Sequence, residues 1–292
     1  MSGTNRYQSI FRADLFAGKV ALVTGGGTGI GRCIAHELAS LGAHVIVAGR
    51  REEPLSQVVG EIGEAGGNAS AVSLNIREEV AVDETIKSLV DEHGSLDLLI
   101  NNAGGQFASP AALIKPKGWR AVVDTNLNGT FFVSQAAFRH GMSKSGGAIV
   151  NIVADIWNGF PGMAHTGAAR AGVVNMTMTL ATEWAAAGVR VNSVAPGIIL
   201  SSGMKNYPTH ILKMVYGIVK KVPASRIGTE AEVSAAVAFL LSPGAAYITG
   251  ETLRVDGAGS LQKVPMLPIM EHDKLPSFDG FHLKPDLPDT LL

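Results

Sequence analysis

At 292 residues with 46% apolar residues, the chain is long and apolar enough to bury one large core. A formal net charge of −1 gives no global basic field, which argues against a nucleic-acid partner. The single Cys33 excludes an internal disulfide and no apolar run is long enough to span a bilayer, so a cytoplasmic protein without membrane association is expected.

Residues 1–18 read as a mixed, polar N-terminal arm with no apolar leader. Val20 to Val23 then forms a short apolar strand leading into Thr24-Gly25-Gly26-Gly27-Thr28-Gly29-Ile30-Gly31, after which Ile30, Ile34 and Leu38 recur at helical spacing. Glycines let a backbone approach a ligand closely, and a helix start offers free amides and a positive dipole end. A pyrophosphate is the natural occupant, with Gly25, Thr28, Gly29 and Ile30 as candidate contacts. The spacing of Gly25, Gly29 and Gly31 does not fit G-x-G-x-x-G. Cys33, on the same helix, reads as a small core residue.

A second strand, His44 to Ala48, ends at Gly49-Arg50-Arg51. In dinucleotide folds an acid near this point accepts from ribose hydroxyls, whereas a base accommodates a 2′-phosphate. Arg50 therefore favours NADP(H), with NAD(H) still possible, and solvated charge is the plain alternative. Pro54 to Ala65 has helical spacing and stops at Gly66-Gly67. Ala69 to Leu74 reads as a third strand ending at Asn75, near where an adenine would rest. A helix through Val82, Ile86 and Val90 precedes a fourth strand, Leu96 to Ile100. This alternation predicts an α/β, Rossmann-like, doubly wound parallel sheet in a single domain over 19–260.

The fourth strand delivers Asn101-Asn102-Ala103-Gly104, where amides at a strand end and small residues after it suit a coenzyme crevice. Gly118 to Arg139 is a long helical stretch whose interior holds Asn126, a residue disfavoured there. A fifth strand is Ala148 to Ile152 and a sixth Val189 to Ala195, closing at Pro196-Gly197. Segment 198–222 carries Met204, Tyr207, Leu212, Met214, Val215 and Tyr216, a content suited to a hydrophobic small molecule or to a packing face. Glu230 to Leu241 is the last helix and Gly250 to Val255 the last strand, followed by Asp256-Gly257. The proline-rich tail, 261–292, fits an arm on a neighbouring subunit or a disordered end.

The T-G-x-x-x-G-x-G turn, the Asn101-Asn102-Ala103-Gly104 segment, Asn126 and Pro196-Gly197 together resemble the short-chain dehydrogenase/reductase family over about Val20 to Gly257. The resemblance implies that Asn102, Ala103 and Gly104 line the coenzyme and that Pro196-Gly197 lies against the nicotinamide. It also implies that Asn126 holds a water beside the position of the catalytic lysine and that 198–222 covers the substrate. Helices 118–139 and 166–187 would pair between subunits as a homodimer or homotetramer.

The family's serine, tyrosine and lysine are not found where the resemblance puts them. Matching Ala171-Gly172-Val173 to the family's A-G-V places Arg170 at the lysine and Thr166 at the tyrosine, and Asn151-Ile152-Val153-Ala154-Asp155 brings no hydroxyl to the serine region. None of Tyr7, Tyr207, Tyr216 and Tyr247 lies in this helix or the loop before it. Reducing a carbonyl makes a basic alkoxide that calls for a strong acid, whereas reducing the C=C bond of an unsaturated thioester leaves an enolate that fixed donors stabilise. Thr166 shares a helix face with Arg170 and suits the second task.

Gly104-Gly105-Gln106-Phe107, Lys117-Gly118-Trp119, Gly159-Phe160-Pro161 and the run from His165 to Val173 resemble the peroxisomal trans-2-enoyl-CoA reductases and their bacterial relatives. In the related dienoyl-CoA reductases a displaced tyrosine or acidic residues deliver the proton, and the matching positions here are Asp155 and Asp256. His165 reads as structural. Tyr7-Gln8-Ser9-Ile10-Phe11-Arg12 with Asp14-Leu15-Phe16 resembles proteins of acyclic terpene breakdown described as citronellol or citronellal dehydrogenases. The expectation is an NADP(H)-dependent reductase of an unsaturated acyl thioester such as a CoA thioester, using Arg170, Thr166, Asn126 and Asp155 and no metal. A terpenoid alcohol or aldehyde dehydrogenase and a nucleotide-binding scaffold without turnover are the alternatives.

Overall fold

Val20-Ala21-Leu22-Val23-Thr24 is apolar without alternation, as a strand covered on both faces must be. It forms β1 (Val20–Thr24), buried throughout, at the centre of the sheet. The computed structural model describes residues 6–202, 204, 217, 219, 222–261 and 270–283. Tyr207, Leu212, Met214, Val215 and Tyr216 of the expected substrate cover lie outside the described residues.

The other strands are β2 (His44–Gly49), β3 (Asn68–Ser73), β4 (Leu98–Asn101), β5 (Gly147–Ile152), β6 (Val189–Pro196), β7 (Ile199–Leu200), β8 (Gly228–Thr229) and β9 (Thr252–Val255). Seven form one parallel sheet in the order β3-β2-β1-β4-β5-β6-β9. Val23 stands level with Val47 on one side and Ile100 on the other, so the order reverses between β1 and β4. A crevice opens outside the carboxyl ends at such a reversal.

Alternate residues of each strand feed two cores. Ala21, Val23, Val45, Val47 and Ile100 pack with α1 (Gly29–Ser40) and α2 (Glu52–Glu64) on one face. Leu22, Ile46, Leu99 and Ile149 pack with α3 (Glu79–His93) on the other. The expected α/β doubly wound sheet is the observed one.

The expected helix at 118–139 is longer and is interrupted. It runs as α4 (Pro116–Val123), a π turn (Asp124–Asn128), α5 (Gly129–Ala137), a second π turn (Phe138–Met142) and α6 (Ser143–Ser145). Asn126 lies inside the first π turn, and its Nδ2 donates to Val122 O at 2.8 Å, competing with the backbone ladder. The segment before α7 (Ala164–Trp184) is a loop, and the last helix, α8 (Glu230–Leu241), starts with a capping box between Thr229 and Glu232.

The short β7–β8 pairing was not apparent from the sequence; it brackets residues 201–227. Near both ends of the described residues the chain packs on the body. Tyr7 and Phe281 pack with Cys33 and Ala231, and the Gln8 amide donates to Gly280 O at 2.8 Å. None of the described helices is long and apolar enough to cross a membrane.

A buried polar chain ties the sheet to both helical layers. Asn101 Nδ2 donates to Ser134 Oγ and Asn151 Oδ1, each at 2.8 Å. Asn151 Nδ2 in turn donates to Thr177 Oγ1 at 2.9 Å, and Thr177 shares a bond with Ser193 at 2.7 Å. Asn151→Ala leaves buried donors and acceptors unsatisfied and is expected to cost about 2 kcal/mol. Urea unfolding of the ligand-free protein measures it, and an unchanged midpoint would mean that the chain of bonds adds no stability.

Candidate functional site

Every turn of the crevice is built from small residues held by side-chain bonds to the backbone. Gly25 has φ +65°, and a Cβ there would stand 2.9 Å from Ala103 Cα and from Asn102 Nδ2. A Cβ on Gly31 would press closer still on Asn102 and on the Gly25 carbonyl. Asn102 Nδ2 donates to Thr24 O at 3.1 Å and Gly25 O at 3.2 Å, while Thr24 Oγ1 accepts from the amides of Asn102 and Ala103 at 3.0 Å each. The glycine turn and the end of β4 are thereby one unit.

Helix α1 opens directly from that unit. Thr28 is its N-cap but makes no side-chain capping bond, and the first turn carries no acid. The first amides are thus free for an anion. Ile30 points away from them into the core. Gly29 has φ +58°, and a Cβ on it would meet Ser202 Oγ at 3.5 Å and Glu230 Oε1 at 3.7 Å. Glu230 was not singled out by sequence.

At the adenosine end Arg50 and Arg51 are exposed after β2. Asn75 is engaged locally, donating to Glu78 Oε1 at 3.1 Å and accepting from Arg77 N and Nε at 3.4 Å. Its bonds set the entry to α3, and they bring Arg77 to this end, a base that sequence reading passed over.

At the opposite end Arg170 is 8% exposed, with Nη1 donating to Ile152 O at 2.8 Å. A Cβ on Gly104 would stand 2.5 Å from Arg170 Nη2 and 2.7 Å from Asn126 Oδ1, so the guanidinium and the amide flank this glycine. No carboxylate among the described residues pairs with Arg170, its Nε has no partner, and burial holds its pKa down to about 10. Donors without acceptors in a crevice wall suit ribose hydroxyls or an anion.

Asn126 Nδ2 also donates to Gly105 O at 2.7 Å, and its Oδ1 accepts from the Gly105 amide at 3.2 Å. Both amide hydrogens are spent on carbonyls, which leaves only a lone pair of Oδ1 for a water. Thr166 and Arg170 share the inward face of α7, as their spacing requires, but Thr166 is fully buried. His165 Nδ1 accepts from the Thr166 amide at 2.8 Å and lies 3.2 Å from its hydroxyl. The Phe107 ring stands edge-on to His165 at 4.4 Å. Burial lowers the His165 pKa, and its Nε2 has no partner. The ring is enclosed between Thr166 and Phe107, where burial disfavours its charged form.

Pro196 is buried, and a Cβ on Gly197 would stand 2.8 Å from Asp256 Cα. The Asp256 carboxylate accepts from Ala258 N at 3.0 Å and Ser260 N at 2.9 Å, a loop-holding role. Asp155 is less occupied. Its Oδ1 is buried without a partner among the described residues, and burial, then repulsion from Asp256, raises its pKa against the Trp157 amide and Arg254. Neither described tyrosine reaches the crevice: Tyr7 donates to Glu37 behind α1 and Tyr247 is fully exposed. Tyr207 and Tyr216 lie outside the described residues. Among the described residues no group of three His, Cys, Asp or Glu is placed to hold a metal ion.

A family model described as short chain dehydrogenase matches residues 19–211. A probable 2,4-dienoyl-CoA reductase of Bacillus subtilis is 41% identical over 250 residues, 85% of this chain and 98% of that one. A peroxisomal 2,4-dienoyl-CoA reductase of Danio rerio is 36% identical over 88% of this chain and 86% of its own. The solved structure of a citronellol catabolism dehydrogenase from Pseudomonas aeruginosa is 52% identical, with a TM-score of 0.79 over 87% of this chain and 100% of that one.

A buried cation with one carbonyl partner costs stability until a ligand satisfies it. Arg170→Met is expected to raise the stability of the ligand-free protein by about 1–2 kcal/mol, because an apolar side chain of similar length needs no solvation. Thermal unfolding without ligand checks this; a fall in melting temperature would show that the guanidinium is a net stabiliser.

Proposed function

The chain belongs to the short-chain dehydrogenase family of oxidoreductases, and from that premise we propose that it reduces the C=C bond of an α,β-unsaturated acyl thioester with NADP(H). The observation that carries the reading is the pairing on α7 of a buried, carboxylate-free guanidinium at Arg170 with a hydroxyl, not a phenol, at Thr166. The usual serine, tyrosine and lysine are replaced on this reading by Asp155 and the loop before it, Thr166 and Arg170.

The parts fit a nicotinamide dinucleotide. The open amides of α1, with Gly25, Thr28 and Gly29, receive the diphosphate. Arg50, exposed after β2, receives a 2′-phosphate, which NAD(H) lacks. The unpaired donors of Arg170 orient the ribose, while Ala103, Gly104 and Pro196-Gly197 leave backbone room beside it. When bound, the reduced nicotinamide supplies a hydride.

Arrival of hydride at the β-carbon leaves an enolate on the thioester, and the chain then has two tasks. A neutral donor must face the oxygen: Thr166 Oγ1 once the exposed loop carrying Phe107 moves aside, or a water on the free lone pair of Asn126 Oδ1. A proton must reach the α-carbon, and Asp155 holds one more readily than an ordinary carboxyl because it is buried beside Asp256. Asp155 recovers its proton from solvent, so the net reaction consumes one hydride and one proton.

A second reading, a terpenoid alcohol or aldehyde dehydrogenase, is supported by the 52% identity to the citronellol catabolism dehydrogenase. The terpenoid and the acyl chain of the thioester are both hydrophobic. Self-association through α5 and α7 as a homodimer or homotetramer, and a cytoplasmic location, complete the proposal.

NADPH consumption with medium-chain 2-enoyl and 2,4-dienoyl thioesters tests it. Turnover is expected, with Arg50→Ala narrowing the preference over NADH and Asp155→Asn lowering kcat by roughly 100-fold. Because the Asp155 pKa is raised and the acid form is required, kcat should fall as pH rises through it. Steady oxidation of citronellol that survives Thr166→Val would favour the second reading. Coenzyme binding with no hydride transfer to any enal, enone or enoyl thioester would mark a scaffold.

A further inference from the structure

The mouth of the glycine turn contains an ionisable group with no task so far. Glu230, the first residue of α8, is 5% exposed, and its Oε1 has no hydrogen-bond partner among the described residues. That oxygen lies 3.7 Å from where a Cβ on Gly29 would stand, at the opening of the 12-residue α1, whose start has neither a capping side chain nor an acid of its own. The positive ends of two helices therefore converge on one buried carboxyl.

Its surroundings offer it little. The Ser202 amide donates to the carboxyl. Arg32, the nearest cation on α1, is committed to Glu61 by bonds of 2.8 and 2.5 Å. Cys33 on the same helix is buried, with its thiol pushed well above its ordinary range, and Asp279 of the C-terminal segment faces Glu230 with like charge. On α8 itself Glu232 is bonded to Arg226 and to the Thr229 amide. A carboxylate in this position repels a diphosphate arriving at α1, whereas a neutral carboxyl donates to it.

We propose that Glu230 is a coenzyme-binding residue that acts as a neutral acid, donating from Oε1 to a diphosphate oxygen at the start of α1, so that binding takes up one proton. The inference rests on the coenzyme reading given above. Burial, partly offset by Arg32, already pushes Glu230 up to about 7 without a ligand, and a neighbouring diphosphate pushes it further. The sign follows from linkage. Below about pH 7 the carboxyl is already neutral and affinity is flat, and above it each pH unit weakens binding by up to about tenfold. The proton comes from solvent on binding and returns on release.

The test is titration of the full-length protein with NADPH and NADH by nicotinamide fluorescence across roughly pH 6–9, with calorimetry in buffers of different ionisation enthalpy. Wild type is expected to lose about tenfold in affinity per pH unit on the alkaline side and to take up close to one proton near pH 8. E230Q keeps an uncharged donor, and should bind more tightly than wild type on the alkaline side with uptake smaller by about one proton. E230A should lose the same pH dependence. The difference from wild type cancels titration of the 2′-phosphate. Equal proton uptake in wild type and both variants, or variants that keep the wild-type pH profile, would overturn the proposal. Failure of the wild-type protein to bind either nucleotide at any pH would instead overturn the coenzyme reading on which it stands.

Discussion

The crevice depends on the bonds between Thr24 and Asn102. Strands β1 and β4 are neighbours in the sheet, yet the chain leaves them toward opposite faces, and a gap opens wherever that happens. Thr24 Oγ1 takes two amides from the end of β4, and Asn102 Nδ2 gives two hydrogens to carbonyls at the start of the glycine turn. The gap is thus held at fixed width, and the glycines are needed because these bonds bring backbone to backbone. A side chain at Gly25 or Gly31 would separate the two strands' ends.

Around that fixed gap the chain leaves polar atoms unsatisfied. Glu230 stands at one end with a bare oxygen, and Arg170 at the other with a bare nitrogen. They do not neutralise one another, because each is enclosed by its own neighbours, Ser202 and α1 in one case, Ile152, Gly104 and Asn126 in the other. Beneath the crevice the neutral Asn101–Asn151–Thr177–Ser193 chain pairs its donor atoms and leaves one neutral acceptor, Asn101 Oδ1, without a partner among the described residues. The contrast locates where binding energy is held in reserve.

The sheet was legible because parallel strands covered on both faces are largely apolar: the stretch from Val20 is unbroken, those at Ala148 and Val189 are interrupted by Asn151 and by Arg190, Asn192 and Ser193, and these and the stretch from His44 each begin at or next to an observed strand. The site was legible where chemistry and backbone coincide: Gly25, Gly29, Asn102 and Gly104 all face the gap. It was not legible where tertiary approach decides. Thr229-Glu230-Ala231-Glu232 reads as an ordinary helix start, and only the packing of α1 against α8 buries the first glutamate. The π turn at Asn126 adds a residue to one turn without disturbing the apolar periodicity around it, so an asparagine in a helix interior was its one trace. Asn75 was expected near an adenine, and its spacing to Arg77 and Glu78 also permitted the local side-chain bonds it makes.

The two ends of the crevice also bear on which reaction it suits. An alkoxide is a strong base and forms readily only beside a group that surrenders a proton at once, which a phenol next to a cation does and an aliphatic hydroxyl does not. On the proposed reading the groups nearest the reacting end are Thr166, bonded to a neutral histidine, and Asp155, a carboxyl that burial makes reluctant to ionise. Neither matches an alkoxide, but both match an enolate, whose charge is spread over oxygen and carbon and asks for one donor at each. Arg170 adds positive charge that steadies an anion in the crevice. A site of this composition favours a substrate whose own conjugation carries the charge.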